Sequence, residues 1–339
     1  MIRTAWLGDY QFTTSALGFG TAGLFHEPSK AARQRLLEAA VEAGILHFDV
    51  APIYGLGLAE IELGEALRSH RENVIITTKV GIGLTQCAKV LGRVQGPMRS
   101  VLKNSSRMQK RAREGAASPS EGRLGGLLYQ STFDTRAAQR SLEQSLRDLG
   151  THIDLLLLHE PEPSKSDFED LHTFLEGALK SGKIRGWGIA CETDQVSPLA
   201  KILHQQIPVV QVRDDILRRQ QVSQPLPSDY LITFGVLSNA LPTILRHVNE
   251  SDHRIQEWNN AVGEDCSNPR VVSELLLKDA LRANAHGTVL YSTSRPERLR
   301  EAVEVFGDDP TGPDASLEPF RQLVSNQLGA GKNTTKQEP

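Results

Sequence analysis

The sequence predicts an α/β protein folded as a single (β/α)8 TIM barrel. Eight short apolar strand runs with helical patterns between them span about 290 residues, the rhythm of repeated βα units around a parallel sheet. Three of those runs also end on one ionisable residue. Ile45-Leu46-His47-Phe48 stops at Asp49, Val74-Ile75-Ile76-Thr77-Thr78 at Lys79, and Ile153-Asp154-Leu155-Leu156-Leu157-Leu158 at His159. In a barrel the carboxyl ends of neighbouring strands form the face where active sites are built.

In chain order the strands fall near 17–22, 45–50, 74–79, 153–158, 184–190, 208–213, 230–236 and 287–291. Helical patterns occupy 30–43, 58–69, 134–149, 168–181, 194–204, 270–284 and 295–306, and the stretch 215–224 is too short and broken to be assigned one. A doubly wound sheet is the runner-up. Gly18-Phe19-Gly20-Thr21-Ala22-Gly23 imitates a dinucleotide fingerprint, but no acidic residue closes a clean second strand at the expected distance. Two segments break the rhythm: 84–131 after the third strand and 237–268 after the seventh. Both leave the carboxyl face, where long loops are expected to form lids and substrate walls. The barrel is expected to take residues 1–328, with 84–131 an inserted loop region and the polar, aperiodic 329–339 a disordered tail.

Composition narrows the classes of function. With 339 residues, 39% hydrophobic and 23% charged, and a net charge of −3, the chain has no global pull toward nucleic acid or a membrane surface. Cys87, Cys191 and Cys266 are too few and too scattered for a disulfide framework or a metal-ligand pair, which fits a reducing compartment. The N-terminus carries no apolar signal core, and no run approaches membrane-spanning length. A cytoplasmic protein acting on a small molecule is the expectation.

The strand-end residues carry the chemistry. Asp49, Lys79 and His159 would point into one pocket, and the turn Ala51-Pro52-Ile53-Tyr54-Gly55 would present a phenol to it. A tyrosine with a pKa of about 10 is a poor proton donor on its own. A nearby ammonium lowers that pKa, and a carboxylate keeps the ammonium charged and oriented. An imidazole can donate to a carbonyl oxygen and fix its position. The set handles a proton at a C–O centre without a nucleophile or a metal, so the partner chemistry is expected from a cofactor, as hydride transfer.

The run His47-Phe48-Asp49-Val50-Ala51-Pro52-Ile53-Tyr54-Gly55, followed by Glu60 and Leu63-Gly64, resembles the signature of the aldo-keto reductase superfamily. Ile75 to Val80, Asp154 to His159 and Gly182 to Ile189 resemble its later blocks in the same order, from about residue 15 to residue 306. The wording around Asp49 is most like the branch that oxidises or reduces aldoses and pyridoxal. This resemblance implies an NAD(P)-dependent oxidoreductase that interconverts a carbonyl and an alcohol on a small polar, sugar- or aldehyde-like substrate. NADP(H) is the favoured cofactor, with NAD(H) possible. Tyr54 would be the general acid/base, completed by Asp49, Lys79 and His159. Gln211 would bond the nicotinamide carboxamide and Phe234 would stack on its ring. Ser292, Thr293, Ser294, Arg298 and Glu301 would hold the adenosine phosphate end, where a guanidinium suits a 2′-phosphate.

Several positions depart from the family pattern. The usual Ser-Asn pair after the fifth strand reads Ala190-Cys191, the stacking tyrosine is Phe234, the residue beside the phosphate is Ser292, and an expected asparagine is Ala302. The tetrad is whole while the cofactor cradle is altered, so a cofactor-sensing or regulatory subunit on the same fold stands as the alternative function. Individual residues also have plainer readings. Asp49 and Lys79 alone could be a rim ion pair, His47 and Trp187 packing residues, and Cys191 a small buried hydrophobe. Trp258 stands equally as a substrate contact and as packing. The basic run Lys103, Arg107, Lys110, Arg111 and Arg113, within 99–113, reads as a solvated loop or as an attractor for an acidic substrate or partner. No aromatic residues interleave with it, which disfavours nucleic acid.

Overall fold

The computed structural model describes residues 2, 4–7, 10, 12–85, 88, 129–162, 168–203, 207–219, 226, 228–307 and 314–329. Strands β1 (Thr4–Leu7) and β2 (Phe12–Ser15) pair as an antiparallel hairpin. Then come β3 (Leu17–Gly20), β4 (His47–Asp49), β5 (Ile75–Val80), a second antiparallel pair of β6 (Ile82–Leu84) with β7 (Tyr129–Ser131), and β8 (Ile153–His159). The chain continues through β9 (Ile184–Ala190), β10 (Ile207–Arg213), β11 (Ser228–Phe234) and β12 (Thr288–Tyr291). The eight strands β3, β4, β5, β8, β9, β10, β11 and β12 close into a parallel barrel in that order, with β12 pairing back onto β3. All eight are the strands expected from the apolar runs, and the (β/α)8 architecture holds.

Two-residue periodicity decides what fills the barrel and what rims it. Leu155 and Leu157 of β8, Val209 of β10, Ile232 of β11 and Leu290 of β12 point inward and pack together. Leu156, Leu158, Val210 and Val212 point outward, beneath the helices, in a second and larger apolar cluster. This double burial is why the strands read as continuous apolar runs. The same alternation carries Asp49, Lys79, His159, Gln211, Arg213 and Phe234 inward at the carboxyl ends of their strands.

Helices cover the outside, with ends set by local chemistry. The helix Thr135–Leu149 starts where Ala137 N donates to the Asp134 side chain at 2.9 Å and stops at Gly150 in the left-handed region. Gly64, in the helix Ala59–Leu67, permits close approach to that neighbour: a Cβ there would lie 2.0 Å from Leu149 O. Among the described residues no helix is long and apolar enough to cross a membrane.

Three features differ from the sequence expectation. The β1–β2 hairpin closes the amino end of the barrel: Phe12 is buried with the inward cluster, and Tyr10 OH donates to Trp187 O at 3.2 Å and accepts from Trp187 N at 3.1 Å. The segment after β11 is not a lid loop but two helices, Ala240–Val248 and Asp252–Val262, and a further helix, Leu317–Leu328, packs against them. Trp258 sits among these helices with no exposed surface. Its Nε1 donates to Gln327 Oε1 at 3.0 Å, and its ring meets Phe320 and His247 edge-on. Trp258 is therefore a packing residue, and the expected substrate contact is corrected on that ground. The short piece after β10 does form a helix, Ile216–Arg219, of four residues. Most of the 84–131 insertion, with its basic run Lys103, Arg107, Lys110, Arg111 and Arg113, and the 330–339 end of the tail lie outside the described residues.

Candidate active site

Asp49 and Lys79 meet at the carboxyl ends of the adjacent strands β4 and β5. Lys79 Nζ donates to Asp49 Oδ1 at 2.7 Å, to Val50 O at 3.1 Å and toward Tyr54 OH at 3.5 Å, so all three of its protons have an acceptor. Lys79 is 1% and Asp49 4% exposed. A charged pair so deeply removed from water persists only because each partner satisfies the other. Burial alone would pull the Lys79 ammonium down, but the Asp49 carboxylate and the Tyr54 phenol outweigh it and push its pKa up. Lys79 is therefore a fixed positive charge beneath the phenol.

The turn that presents Tyr54 is tightly wound. Tyr54 N donates to Ala51 O at 3.0 Å, and the three residues that follow all have positive φ: Gly55 at 59°, Leu56 at 57° and Gly57 at 90°. Leu56 adopts a conformation uncommon for a branched side chain, a cost borne where the turn must aim a functional group. Gly55 has a second reason to be glycine, because a Cβ there would fall 2.4 Å from the Phe25 ring. Phe25 is in turn covered by the Arg33 guanidinium at 4.3 Å, and Arg33 holds Glu62 through two bonds of 2.7 Å. A buried ion pair thus stands behind the turn that carries the phenol.

The electrostatics revise one expectation. Lys79 does favour the Tyr54 phenolate, but burial pushes the phenol up by more, and Asp49 and Glu160 add to that push. The net shift is upward, so Tyr54 rests as the neutral acid. His159, at the inward end of β8, is 8% exposed, and burial, helped by Lys79, lowers its pKa to about 3. It is a neutral imidazole at ordinary pH, and its buried Nδ1 has no hydrogen-bond partner among the described residues. Glu160 follows in the left-handed region at φ 52°, with its N–H on Ala190 O at 2.7 Å. His47, also inward on β4, bonds Thr77 through Nε2 at 3.0 Å, and its buried Nδ1, like that of His159, has no hydrogen-bond partner among the described residues.

The structure brings Asp49, Tyr54, Lys79 and His159 to one side of the barrel mouth. Gln211 reaches the same group: its Nε2 donates to Asp49 Oδ2 at 2.7 Å. Phe234 stands at the end of β11, with Arg213 of β10 over its ring at 5.1 Å. Arg213 escaped the sequence reading, although it lies two residues beyond Gln211 and must face inward by the same alternation. Ala190 and Cys191 offer no amide or hydroxyl here, and burial, aided by Asp194, Glu192 and Glu160, pushes the Cys191 thiol up to about 12.

Across the mouth, beyond β12 and β3, a cavity of about 260 Å³ is lined by Gly23, His26, Ser292, Thr293, Ser294, Arg295 and Arg298. Ser292 Oγ is tied to Gly20 O at 2.6 Å, and Arg295 N donates to Thr293 Oγ1 at 3.1 Å. The helix Pro296–Gly307 starts at this cavity and turns its N-terminal dipole toward it. Two guanidiniums, hydroxyls and a helix start fit a phosphate-bearing group. The four expected residues Ser292, Thr293, Ser294 and Arg298 all line it, whereas Glu301 does not and instead faces Arg270 at 3.5 Å. His26 and Arg295 are additions that the sequence did not signal, and Gly23 belongs to the glycine-rich stretch that was set aside as a dinucleotide fingerprint. Among the described residues no group of His, Cys, Asp and Glu side chains could hold a metal ion.

Comparison with known proteins agrees with this geometry. The pattern of the Aldo/keto reductase family matches residues 16–226, more than half of the chain. The chain is 32% identical over 209 residues to a pyridoxal 4-dehydrogenase from Microbacterium luteolum, covering 56% of each sequence. It is 28% identical over 222 residues to a D-threo-aldose 1-dehydrogenase from a Pseudomonas species, covering 63% of this chain and 61% of that one. The match thus spans little more than half the length of these curated relatives. Among solved structures, a glycerol dehydrogenase from Gluconobacter oxydans superimposes with a TM-score of 0.68 at 14% identity, covering 99% of both chains. An aldo-keto reductase from Klebsiella pneumoniae in complex with NADPH gives a TM-score of 0.61 at 20% identity, covering 98% of both. At these identities the structural likeness speaks to the fold alone, and the family rests on the sequence pattern together with the strand-end blocks. The chain belongs to the aldo/keto reductase family.

Proposed function

We propose that the protein is an NAD(P)-dependent oxidoreductase that interconverts a carbonyl and an alcohol on a small polar, sugar- or aldehyde-like substrate. The observation that carries this reading is the buried Lys79, held at 2.7 Å by Asp49 and aimed at the Tyr54 hydroxyl at 3.5 Å. A bound nicotinamide would supply hydride transfer. The protein's own part is to hold and move a proton. Tyr54, kept neutral by burial, donates to the substrate oxygen as negative charge develops there, and the Lys79 ammonium stabilises the phenolate left behind. His159, neutral and with an unmet buried nitrogen, is suited to orient that oxygen. Oxidation of an alcohol runs through the same groups in reverse.

The phosphate cavity favours NADP(H) over NAD(H), because Arg295 and Arg298 together suit a doubly charged 2′-phosphate. Pyridoxal and aldose dehydrogenases among the relatives support substrates of that polarity. The test is a fluorescence titration with NADPH and NADH, followed by turnover of 4-nitrobenzaldehyde, pyridoxal and an aldose panel. Tyr54→Phe is expected to abolish turnover while leaving cofactor binding intact. Binding without turnover on any substrate would instead favour a cofactor-sensing subunit, the reading to which the Ala190-Cys191 replacement lends its support.

A further inference from the structure

Gln211 does more than the family resemblance implies. It lies on β10, four strands from β4 in either direction around the eight-stranded ring. The bond of 2.7 Å from its Nε2 to Asp49 Oδ2 therefore spans the full width of the barrel. Both side chains are buried, at 3% and 4% exposure. With Lys79 on Oδ1 and Gln211 on Oδ2, each oxygen of Asp49 has a donor. A hydrogen-bonded chain thus runs from Gln211 through Asp49 and Lys79 to Tyr54.

This bond also fixes which way the amide faces. An ionised carboxylate only accepts, so Nε2 must be the end on Asp49 and Oε1 must turn elsewhere. An Oε1 so presented selects an N–H donor, and the carboxamide of a nicotinamide has one. Ala190 and Cys191 bring no competing amide or hydroxyl, so Gln211 would carry that contact without help from the end of β9. We propose that Gln211 is a positioning residue that couples occupation of the nicotinamide subsite to the proton-transfer tetrad, with one end of its amide on the cofactor and the other on Asp49. The inference rests on the oxidoreductase reading above. Donation from Gln211 draws charge toward Asp49 Oδ2 and so sets how strongly Oδ1 holds the Lys79 charge beneath Tyr54. Hydrogen bonds that share an acceptor at low local dielectric polarise one another, so a change at either end is felt at the other.

Linkage gives a test that does not depend on turnover. If the tetrad and the nicotinamide subsite are coupled, cofactor affinity and tetrad protonation alter each other reciprocally. Fluorescence titrations of the full chain with NADP+ at a series of pH values should show a Kd that changes about fivefold or more between about pH 8 and 11, the alkaline range toward which burial raises Tyr54. Gln211→Leu and Gln211→Met should both flatten that dependence and weaken binding about tenfold, the effect of one lost hydrogen bond. The pH profile of kcat should shift in the same variants. A variant that binds more weakly by one constant factor at every pH, with the wild-type profile preserved, would reduce Gln211 to a simple clamp and overturn the coupling. A wild-type Kd independent of pH would overturn it too. Failure of the wild type to bind either NADP+ or NAD+ would sink the oxidoreductase reading itself. Should Gln211→Leu not fold, as judged by circular dichroism, the unbranched methionine variant carries the comparison.

Discussion

The two halves of the barrel mouth are built on opposite principles. On the β4, β5 and β8 side, charge is buried and answered within the protein. Lys79 spends its protons on Asp49, Val50 and Tyr54, and Asp49 has a donor on each oxygen. On the β10, β11 and β12 side, cationic groups stand toward open space. Arg213 makes a single long bond of 3.4 Å to Ser238 among the described residues, and Arg295 and Arg298 line a cavity. The first half has its reacting groups set in advance, which is what proton transfer requires. The second leaves its donors open, which under the proposed function suits a charged ligand.

The largest test of this division is Lys79→Met. Activity should fall about 10²- to 10⁴-fold, the range for loss of general acid–base assistance, while the Kd for NADPH moves by no more than about tenfold, the share that the Gln211–Asp49 link transmits. Asp49 would be left buried with half its partners, so denaturant melts should also show a loss of about 3–5 kcal/mol. An equal collapse of cofactor affinity would erase the distinction between the halves. Next comes Arg33→Met, which strands the buried Glu62 and removes the cation above Phe25. Stability should drop by about 3–5 kcal/mol, and kcat should fall with it at a temperature where the variant is fully folded, because the Tyr54 turn loses its backing. Cofactor binding at that temperature should be unmoved.

Arg298→Gln probes the open half. The Kd for NADPH should rise about tenfold, with NADH little affected, since a charge-assisted bond to a phosphate is worth about 1.5–3 kcal/mol. Equal losses for both dinucleotides would place Arg298 on a phosphate common to the two.

The smallest effect concerns Glu60, buried behind β5 with its carboxylate bonded by Thr78 at 2.7 Å. Burial raises its pKa from 4.5 to about 7. The folded state therefore binds more protons than the unfolded one between those values, and this contribution to stability is lost as pH rises through 7. His47 and His159 act the other way: burial lowers each to about 3, so their contribution is lost as pH falls from 6.5 toward 3. Glu60→Gln should remove a slope of up to about 1.4 kcal/mol per pH unit between pH 4.5 and 7, measured by urea unfolding. The closed half then becomes less sensitive to alkali without loss of its catalytic groups.

How much of this was legible in the sequence depended on whether the signal was local. All eight barrel strands could be read, because strands buried on both faces are largely apolar along their length. Asp49, Lys79 and His159 were legible because three of those runs end on them, and Tyr54 because the turn that follows Asp49 carries it. The β1–β2 hairpin was not, since two four-residue strands carry too little pattern to separate them from a polar terminus. Trp258 stayed open between substrate contact and packing because its position in the chain suggested a loop, while its environment is set by helices that meet it from elsewhere, including one that begins at Leu317. The upward shift of Tyr54 was likewise hidden. Lys79 is visible as a neighbour in a motif, but desolvation belongs to the assembled structure. Arg213 was within reach, because inward residues recur every second position and Gln211 had already been placed.

The turn after β3 has one further consequence. Gly23 and His26 line the cavity beyond β12 and β3, while Phe25, between them, presses against Gly55 beside the phenol. A four-residue stretch is thus answerable to two clients. Under the proposed function, substitutions that retune it for a different dinucleotide are judged at the same time by the aim of Tyr54, which ties cofactor preference to catalytic rate there.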